Sequence, residues 1–215
     1  GVKTKFLVKC GIFDENKIHQ NVNQPIQVVY AGKLYCNRWK TLKMLAEAIY
    51  KVNNDYGRTM IQLNIYTADD ITKIQDRVLN DGVHSIIHGC VPATELPSIY
   101  EKSDIVLHVE SLDKKNRLLT QDSFSTKVID CLASGCAVMA LCWEGHAAYQ
   151  YLKKMNAAIT ASSNEEIYLK VRKLVQNPKI VCKYAKRANE CGKKNHQRRD
   201  IQKMLRDDFT MVIEE

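Results

Sequence analysis

Two acidic side chains, Asp122 and Asp130, stand eight residues apart in a segment that runs on into an apolar stretch. Asp122 is a favourable N-cap residue, so the pattern predicts a helix over residues 122–134. On this helix Phe124 would lie on the apolar face, and Thr126 would share the polar face with Asp130. The first amide groups of such a helix favour an anionic ligand. Taken alone, an N-cap and a solvated surface acid are the simpler interpretation of the two carboxylates.

Apolar, β-branched runs alternate with helical patterns along most of the chain. Strands are predicted at 26–32, 60–67, 83–89, 104–110, 137–142 and 157–160. Helices are predicted at 41–53, 69–81, 93–103, 122–134 and 146–154. The expected fold class is therefore α/β, a Rossmann-like doubly wound parallel sheet with helices on both faces. Ligands of such sheets bind at the carboxyl ends of the strands.

The two ends of the chain have different patterns. Residues 5–9 are compatible with a short strand. Residues 163–213 predict a C-terminal helical extension, with breaks expected at 177–178 and near 191–192, where Pro and Gly occur.

The composition is that of an ordinary soluble globular protein, with 45% hydrophobic and 26% charged residues. The apolar runs are too short for a transmembrane helix. The eight cysteines form no CxxC pair, and we find no Cys/His cluster with the spacing of zinc ligands, so no metal site is predicted. Reduced thiols in a cytoplasmic protein are the simplest interpretation. His88 and His108, near strand ends, are interpreted as packed or surface side chains rather than as a general base.

The net charge of +8 is carried entirely by residues 179–206, which hold ten Lys or Arg and two acids. The rest of the chain is neutral and does not interleave aromatic with basic residues. This distribution argues against a nucleic-acid-binding module. Steeply salt-dependent binding to DNA would support that alternative.

The segment 122–140 resembles the carboxyl-terminal domain of retaining glycosyltransferases with the two-domain GT-B architecture, most like family 4. The two acids keep the interval of that family, and further matches are Phe124, Gly135, Val138 and Ala140. Segments 28–42 and 88–110 are similar to two more family motifs in the same order, so the resemblance covers about 26–178.

The resemblance implies roles for the residues around the two acids. Asp130 would hold the ribose hydroxyls of a nucleotide sugar, and Asp122 would be the catalytic residue against the donor sugar. The amides of Ser125 and Thr126, which follow Phe124, would meet the diphosphate. Both acids are Asp here rather than the usual Glu, so each carboxylate reaches less far.

The resemblance also implies donor contacts after the first and third strands. Lys33 and Lys40, after Gly32, would supply charge to the leaving diphosphate, with Arg38 as a competitor. Lys33 stands where the family often has Arg and lacks that residue's bidentate fork. The base would lie against the loop formed by Cys90, Val91 and Pro92.

The resemblance divides the chain into three parts. Residues 1–25 would be a linker from a missing N-terminal domain, 26–178 the nucleotide-sugar-binding domain, and 179–215 basic helices that pack back on it or toward the missing domain. The implied function is donor binding in a glycosyltransferase that moves a sugar from a nucleoside-diphosphate sugar to a saccharide or lipid-linked acceptor, in surface polysaccharide synthesis.

Several further expectations follow from that assignment. No cofactor is implied, and a UDP-sugar is favoured over a GDP-sugar. The chain alone is expected to bind donor but not to transfer sugar, and to be cytoplasmic with peripheral contact to the inner face of a membrane. The alternatives are an enzyme related to nucleotide-sugar epimerases and a non-catalytic interaction domain; absence of nucleotide binding would favour the latter.

Overall fold

The computed structural model describes residues 9–214, and side chains as far as residue 210. The six strands are β1 Ile26–Ala31, β2 Ile61–Tyr66, β3 Ser85–Gly89, β4 Ile105–Val109, β5 Ala137–Leu141 and β6 Ile159–Ala161. The helices are α1 Arg38–Tyr56, α2 Lys73–Leu79, α3 Leu96–Glu101, α4 Lys114–Thr120, α5 Lys127–Leu132, α6 Ala147–Lys154, α7 Asn164–Gln176, α8 Lys179–His196 and α9 Arg198–Glu214. Apart from Lys9, the strand expected at 5–9 lies outside the described residues.

All six strands pair in parallel, in the order β3-β2-β1-β4-β5-β6. Every residue of β4 and β5 is buried, as expected for central strands of a sheet covered on both faces. The α/β fold class with a doubly wound sheet is therefore confirmed. The strand order reverses between β1 and β4, and the crevice at the carboxyl ends of these strands is where such sheets bind ligands.

The alternation of side chains in β5 shows how the two helical layers are built. Met139 joins the apolar cluster that includes residues of α1 and α7. Val138 and Ala140 join the cluster that includes residues of α5 and α6. Strand β5 thus contributes to two cores, one on each face of the sheet.

The helix expected over 122–134 is shorter than predicted. It begins at Lys127, and its N-cap is Thr126 rather than Asp122. Phe124 is 41% exposed, so its expected place on the core face is wrong; its ring instead meets the edge of Tyr151. The chain before it forms α4, which is capped by Asp113 and is not among the predicted helices.

A tertiary hydrogen bond explains this difference. The carbonyl oxygen of Gln121 accepts a 3.1 Å hydrogen bond from the amide of Ala147, at the start of α6. This contact holds the segment after α4 against another helix, which overrides the local N-cap preference of Asp122.

The break expected near 191–192 is also wrong, because α8 runs through Gly192 to His196. A Cβ atom at Gly192 would collide with the ring of Phe13, which is buried. The glycine is therefore explained by close packing rather than by the end of a helix.

Gly192→Ala is expected to lower the free energy of unfolding by about 1–3 kcal/mol, because the methyl group overpacks the contact with Phe13. Helix propensity alone would predict a gain of about 1 kcal/mol. Chemical denaturation distinguishes the two signs. The same change in a Phe13→Leu background should cost less, and a Gly192→Ala protein that is more stable than the parent would contradict the packing argument.

Among residues 9–214, no helix has the combination of length and hydropathy needed to cross a membrane.

Candidate functional site

A buried ion pair lies at the carboxyl ends of β1 and β4. Arg38 donates from Nε and Nη2 to the two carboxylate oxygens of Glu110, at 2.9 and 2.8 Å. The two side chains are only 15% and 4% exposed. Thr41 donates its hydroxyl to the Glu110 carbonyl oxygen at 2.9 Å. Arg38, predicted as a competing phosphate ligand, is thus engaged by Glu110 and fixes the loop after β4 to the first turn of α1.

The loops around this ion pair are tied together by Asp113. Its carboxylate accepts from Asn37 Nδ2 at 3.1 Å and from the Asn116 amide at 3.0 Å. A hydrogen bond from the Ser111 hydroxyl, together with those from Asn116, holds the pKa of Asp113 well below its usual range. Asn37 itself has a left-handed backbone with φ of 61°, which is uncommon outside glycine. The loop before α1 is therefore held in a defined, strained conformation.

Lys127 reaches into the crevice from the first turn of α5. Its ammonium donates to the carbonyl oxygen of Ala31, at the end of β1, and lies 5.0 Å from the ring centroid of Tyr30. A Cβ atom at residue 32 would collide with this ammonium, so any side chain in place of Gly32 would displace it. Burial lowers the pKa of Lys127. The structure thus places a partly desolvated cation against the glycine turn after β1.

Sequence reasoning did not select Lys127 as a site residue. Lys127 directly follows Thr126 and stands three residues before Asp130 in the sequence. Its position beside Thr126 is the one signal in the sequence that could have indicated a site residue. The contact of its ammonium with Gly32 joins residues 95 apart in the chain, so it depends on the tertiary fold.

The two predicted lysines lie on the outside of the crevice. Lys33 is exposed, and its carbonyl oxygen accepts a 2.6 Å hydrogen bond from the Tyr30 hydroxyl. Lys40 is exposed in the first turn of α1, with its ammonium 5.7 Å from the ring of Trp39. Both can supply charge to an anion at the rim, but water screens them more than it screens Lys127.

Asp130 forms an ion pair that the sequence did not indicate. Both of its oxygens lie 2.8 Å from the ammonium of Lys9, which also donates to the Thr126 carbonyl oxygen at 3.0 Å. The Asp130 side chain remains 56% exposed. A carboxylate has lone pairs for more than one donor, so ribose hydroxyls would share Asp130 with Lys9 or displace it.

The other residues of the predicted motif precede α5. Asp122 is exposed, and Ser125 and Thr126 stand before the helix rather than in its first turn. Ser125 Oγ accepts from the Lys127 amide at 3.3 Å. The expected arrangement, in which the amides of Ser125 and Thr126 open a long helix, is therefore corrected by the later start of α5.

The loop predicted for the base follows the edge strand β3. Cys90 and Pro92 are exposed, and Val91 is partly buried. Because β3 lies two strands from β1, this loop is separated from Gly32 by about 10 Å along the sheet.

A cavity of about 870 Å³ lies on the other side of β5, between α4 and α6. Its walls include Arg117, Trp143, Tyr149 and Lys153. None of the predicted donor-binding residues is among its described lining. The crevice at β1 and β4 is the better site on chemical grounds, because the buried pair and the desolvated cation converge there.

The strand order, which reverses between β1 and β4, defines an α/β protein with a doubly wound parallel sheet. The sequence profile of the family described as "Glycosyl transferase-like" matches residues 20–206, and the chain belongs to that family. The expected resemblance to a GT-B carboxyl-terminal domain is confirmed, whereas the assignment to family 4 stays a prediction. A search of curated proteins found no match.

Solved structures are similar in fold. The C-terminal domain of the glycosyl transferase group 1 family protein LpcC from Francisella tularensis is 15% identical, with a TM-score of 0.62 over 82% of this chain and 89% of that one. Sucrose-phosphate synthase from Thermosynechococcus elongatus is 13% identical, with a TM-score of 0.67. The match covers 99% of this chain and 53% of that one.

The pneumococcal O-GlcNAc transferase GtfA, solved with UDP and GlcNAc, is 14% identical, with a TM-score of 0.66. It is matched over 95% of this chain and 39% of its own length. This chain therefore spans about half or less of the two longer proteins, and at these identities the likeness concerns the fold.

Proposed function

We propose that the crevice at β1 and β4 binds the diphosphate of a nucleoside-diphosphate sugar, and that the chain is the donor-binding half of a retaining glycosyltransferase. The observation that carries this proposal is the Lys127 ammonium, which lies partly desolvated against Gly32 at the end of β1. Family membership supplies the reaction class. The geometry supplies the point at which negative charge would be stabilised.

The chemistry requires such a cation. When the bond between the sugar and the diphosphate breaks, negative charge grows on the leaving diphosphate. Lys127 carries three N–H donors, and directing one of them from Ala31 to a phosphate oxygen would need only a small movement. Fixed donors in a site that excludes water can contribute several kcal/mol to this step. Lys33 and Lys40 would add charge at the rim.

The buried pair would position these groups rather than contact the donor. Glu110 holds Arg38 in a bidentate contact and, through Thr41, fixes the start of α1 to the end of β4. That contact leaves Lys127 as the principal diphosphate ligand. Asp130 would accept from the ribose hydroxyls in competition with Lys9, and Asp122 would lie against the sugar as the catalytic carboxylate.

We also propose a UDP-sugar donor, with the base on the loop Cys90, Val91 and Pro92. The acceptor, a saccharide or a lipid-linked saccharide, would be bound by a further domain. The chain alone should then bind nucleotide and show no transfer to a supplied acceptor; turnover by this chain would contradict that. Proton NMR of the product of the whole enzyme would test retention of anomeric configuration.

Cytoplasmic location with peripheral membrane contact is proposed from the basic α8 and α9, whose lysines and arginines would favour anionic lipid. Co-sedimentation with vesicles containing phosphatidylserine, at low and high salt, tests it. Equal recovery of the protein with neutral and anionic vesicles would exclude an electrostatic contact.

A titration calorimetry experiment with UDP and GDP tests the donor site. We expect saturable binding, tighter for UDP, and roughly tenfold or more weakening by Asp130→Ala, since hydrogen bonds to charged groups contribute about 1.5–3 kcal/mol. Lys9→Ala should tighten binding by up to roughly fivefold, because an exposed ion pair contributes about 0–1 kcal/mol and its loss frees Asp130. If neither nucleotide binds, the chain by itself does not form a donor site. If Asp130→Ala binds nucleotide as tightly as the parent does, Asp130 does not hold the ribose hydroxyls.

A further inference from the structure

A cluster of three potential metal ligands is buried at the carboxyl ends of β4 and β5. One ring nitrogen from each of His108 and His146 and the sulfur of Cys142 lie within 4.8 Å of one another. His108 is in β4, whose parallel register pairs it with Ala140, and Cys142 directly follows β5. His146 is the N-cap of α6. All three side chains are essentially inaccessible to solvent.

The two histidines have unused hydrogen-bonding capacity. The Nε2 atoms of His108 and His146 are both buried without a partner. A buried polar atom in this state is rare in native proteins and calls for an explanation. A metal ion bound to these nitrogens would supply the missing partner.

We propose that His108, Cys142 and His146 form a zinc site. Zinc takes His nitrogen at about 2.0–2.1 Å and Cys sulfur at about 2.3 Å, which places neighbouring ligand atoms roughly 3.5 Å apart in a tetrahedral site. The ligand atoms lie within 4.8 Å of one another, so they must move closer to reach that spacing. Nitrogen and sulfur donors do not suit magnesium or calcium, which take oxygen ligands.

Binding would change the protonation of two of the ligands. Cys142 would coordinate as a thiolate, with its proton released to solvent. In this structure His146 Nδ1 accepts from the Ala148 amide at 3.2 Å, which leaves the ring proton on Nε2. Coordination through Nε2 moves that proton to Nδ1 and gives up the hydrogen bond to Ala148. The zinc ion would instead hold the ends of β4 and β5 to the start of α6.

The cluster lies beside the Arg38–Glu110 pair, because Glu110 follows His108 by two residues and its amide donates to the Leu141 carbonyl oxygen at 3.0 Å. Three protein ligands leave the fourth position of a tetrahedral zinc ion open. The Cys142–His146 spacing, with three residues between, is a weak signal by itself. His108 precedes Cys142 by 34 residues and joins the cluster through the pairing of β4 with β5. That distance explains why no metal site was predicted from the sequence.

The test is zinc retention by the whole chain, prepared without a polyhistidine tag. After exposure to zinc and gel filtration, elemental analysis should find roughly one ion per chain in the parent protein, as in a single three-ligand site. His146→Asn should lose the ion while keeping a good N-cap for α6. Cys142→Ala should lose it too, whereas Cys131→Ala, which also removes a buried thiol, should retain it.

Cobalt substitution gives a second measurement. The parent protein and Cys131→Ala should show a thiolate-to-cobalt charge-transfer band in the near ultraviolet, and Cys142→Ala should not. Circular dichroism checks that each variant is folded. A parent protein that retains no zinc after gel filtration, or a folded His146→Asn variant that retains as much as the parent, would overturn the proposal.

Discussion

Lys127→Met is expected to weaken UDP binding by roughly 10- to 150-fold, because a hydrogen bond to a charged group contributes about 1.5–3 kcal/mol. The folded protein should be as stable as the parent or slightly more stable. Burial already disfavours the charged form of Lys127, as its lowered pKa shows, and Met fills similar space without a charge. Calorimetric titration with UDP and thermal denaturation measure the two effects separately.

The matched control is Lys40→Met, which removes an exposed cation from the rim and should weaken binding much less. Gly32→Ala tests the same contact from the other side, because its methyl group would displace the Lys127 ammonium.

UDP affinity should also depend on pH, because binding needs the protonated form of Lys127. Since burial lowers the pKa of Lys127, the affinity should begin to fall at a lower pH than it would if the cation were an exposed lysine. If Lys127→Met binds UDP as well as the parent does, the diphosphate does not lie at the end of β1.

The fold could be predicted because its signals are local. The strands are short and rich in apolar, β-branched residues, and the two fully buried strands β4 and β5 are apolar apart from His108. The start of α5 could not be predicted in the same way. Asp122 has the right chemistry for an N-cap, but the contact between Gln121 and Ala147 places it in the connection between two helices.

The candidate site was only partly predictable for a related reason. The positions near Gly32 and the two acids could be located from the motif, because the motif is continuous in sequence. The ion-pair partners of the charged residues at the site are distant in sequence. Lys9 lies 121 residues from Asp130, and Arg38 lies 72 residues from Glu110. Only the parallel pairing of the strands and the packing of α5 bring these charges together.

Glu110→Gln is expected to lower the free energy of unfolding by about 3–5 kcal/mol, the usual cost of breaking a buried ion pair by removing one partner. The Arg38 guanidinium would stay buried with a neutral amide beside it, and the bidentate charge-assisted contact would be lost. Guanidinium denaturation followed by circular dichroism measures the change. UDP binding should weaken as well, because the loop after β4 and the start of α1 lose their common anchor.

The same helix offers a control, since Lys43 and Glu47 in α1 form an exposed ion pair. Glu47→Gln should change the unfolding free energy by no more than about 0.5 kcal/mol. Combining Glu110→Gln with Arg38→Met removes the unpaired buried charge and should recover part of the lost stability. An effect of Glu110→Gln as small as that of Glu47→Gln would mean that water reaches Arg38 in solution, and the crevice would then be too open for Lys127 to act as a desolvated cation.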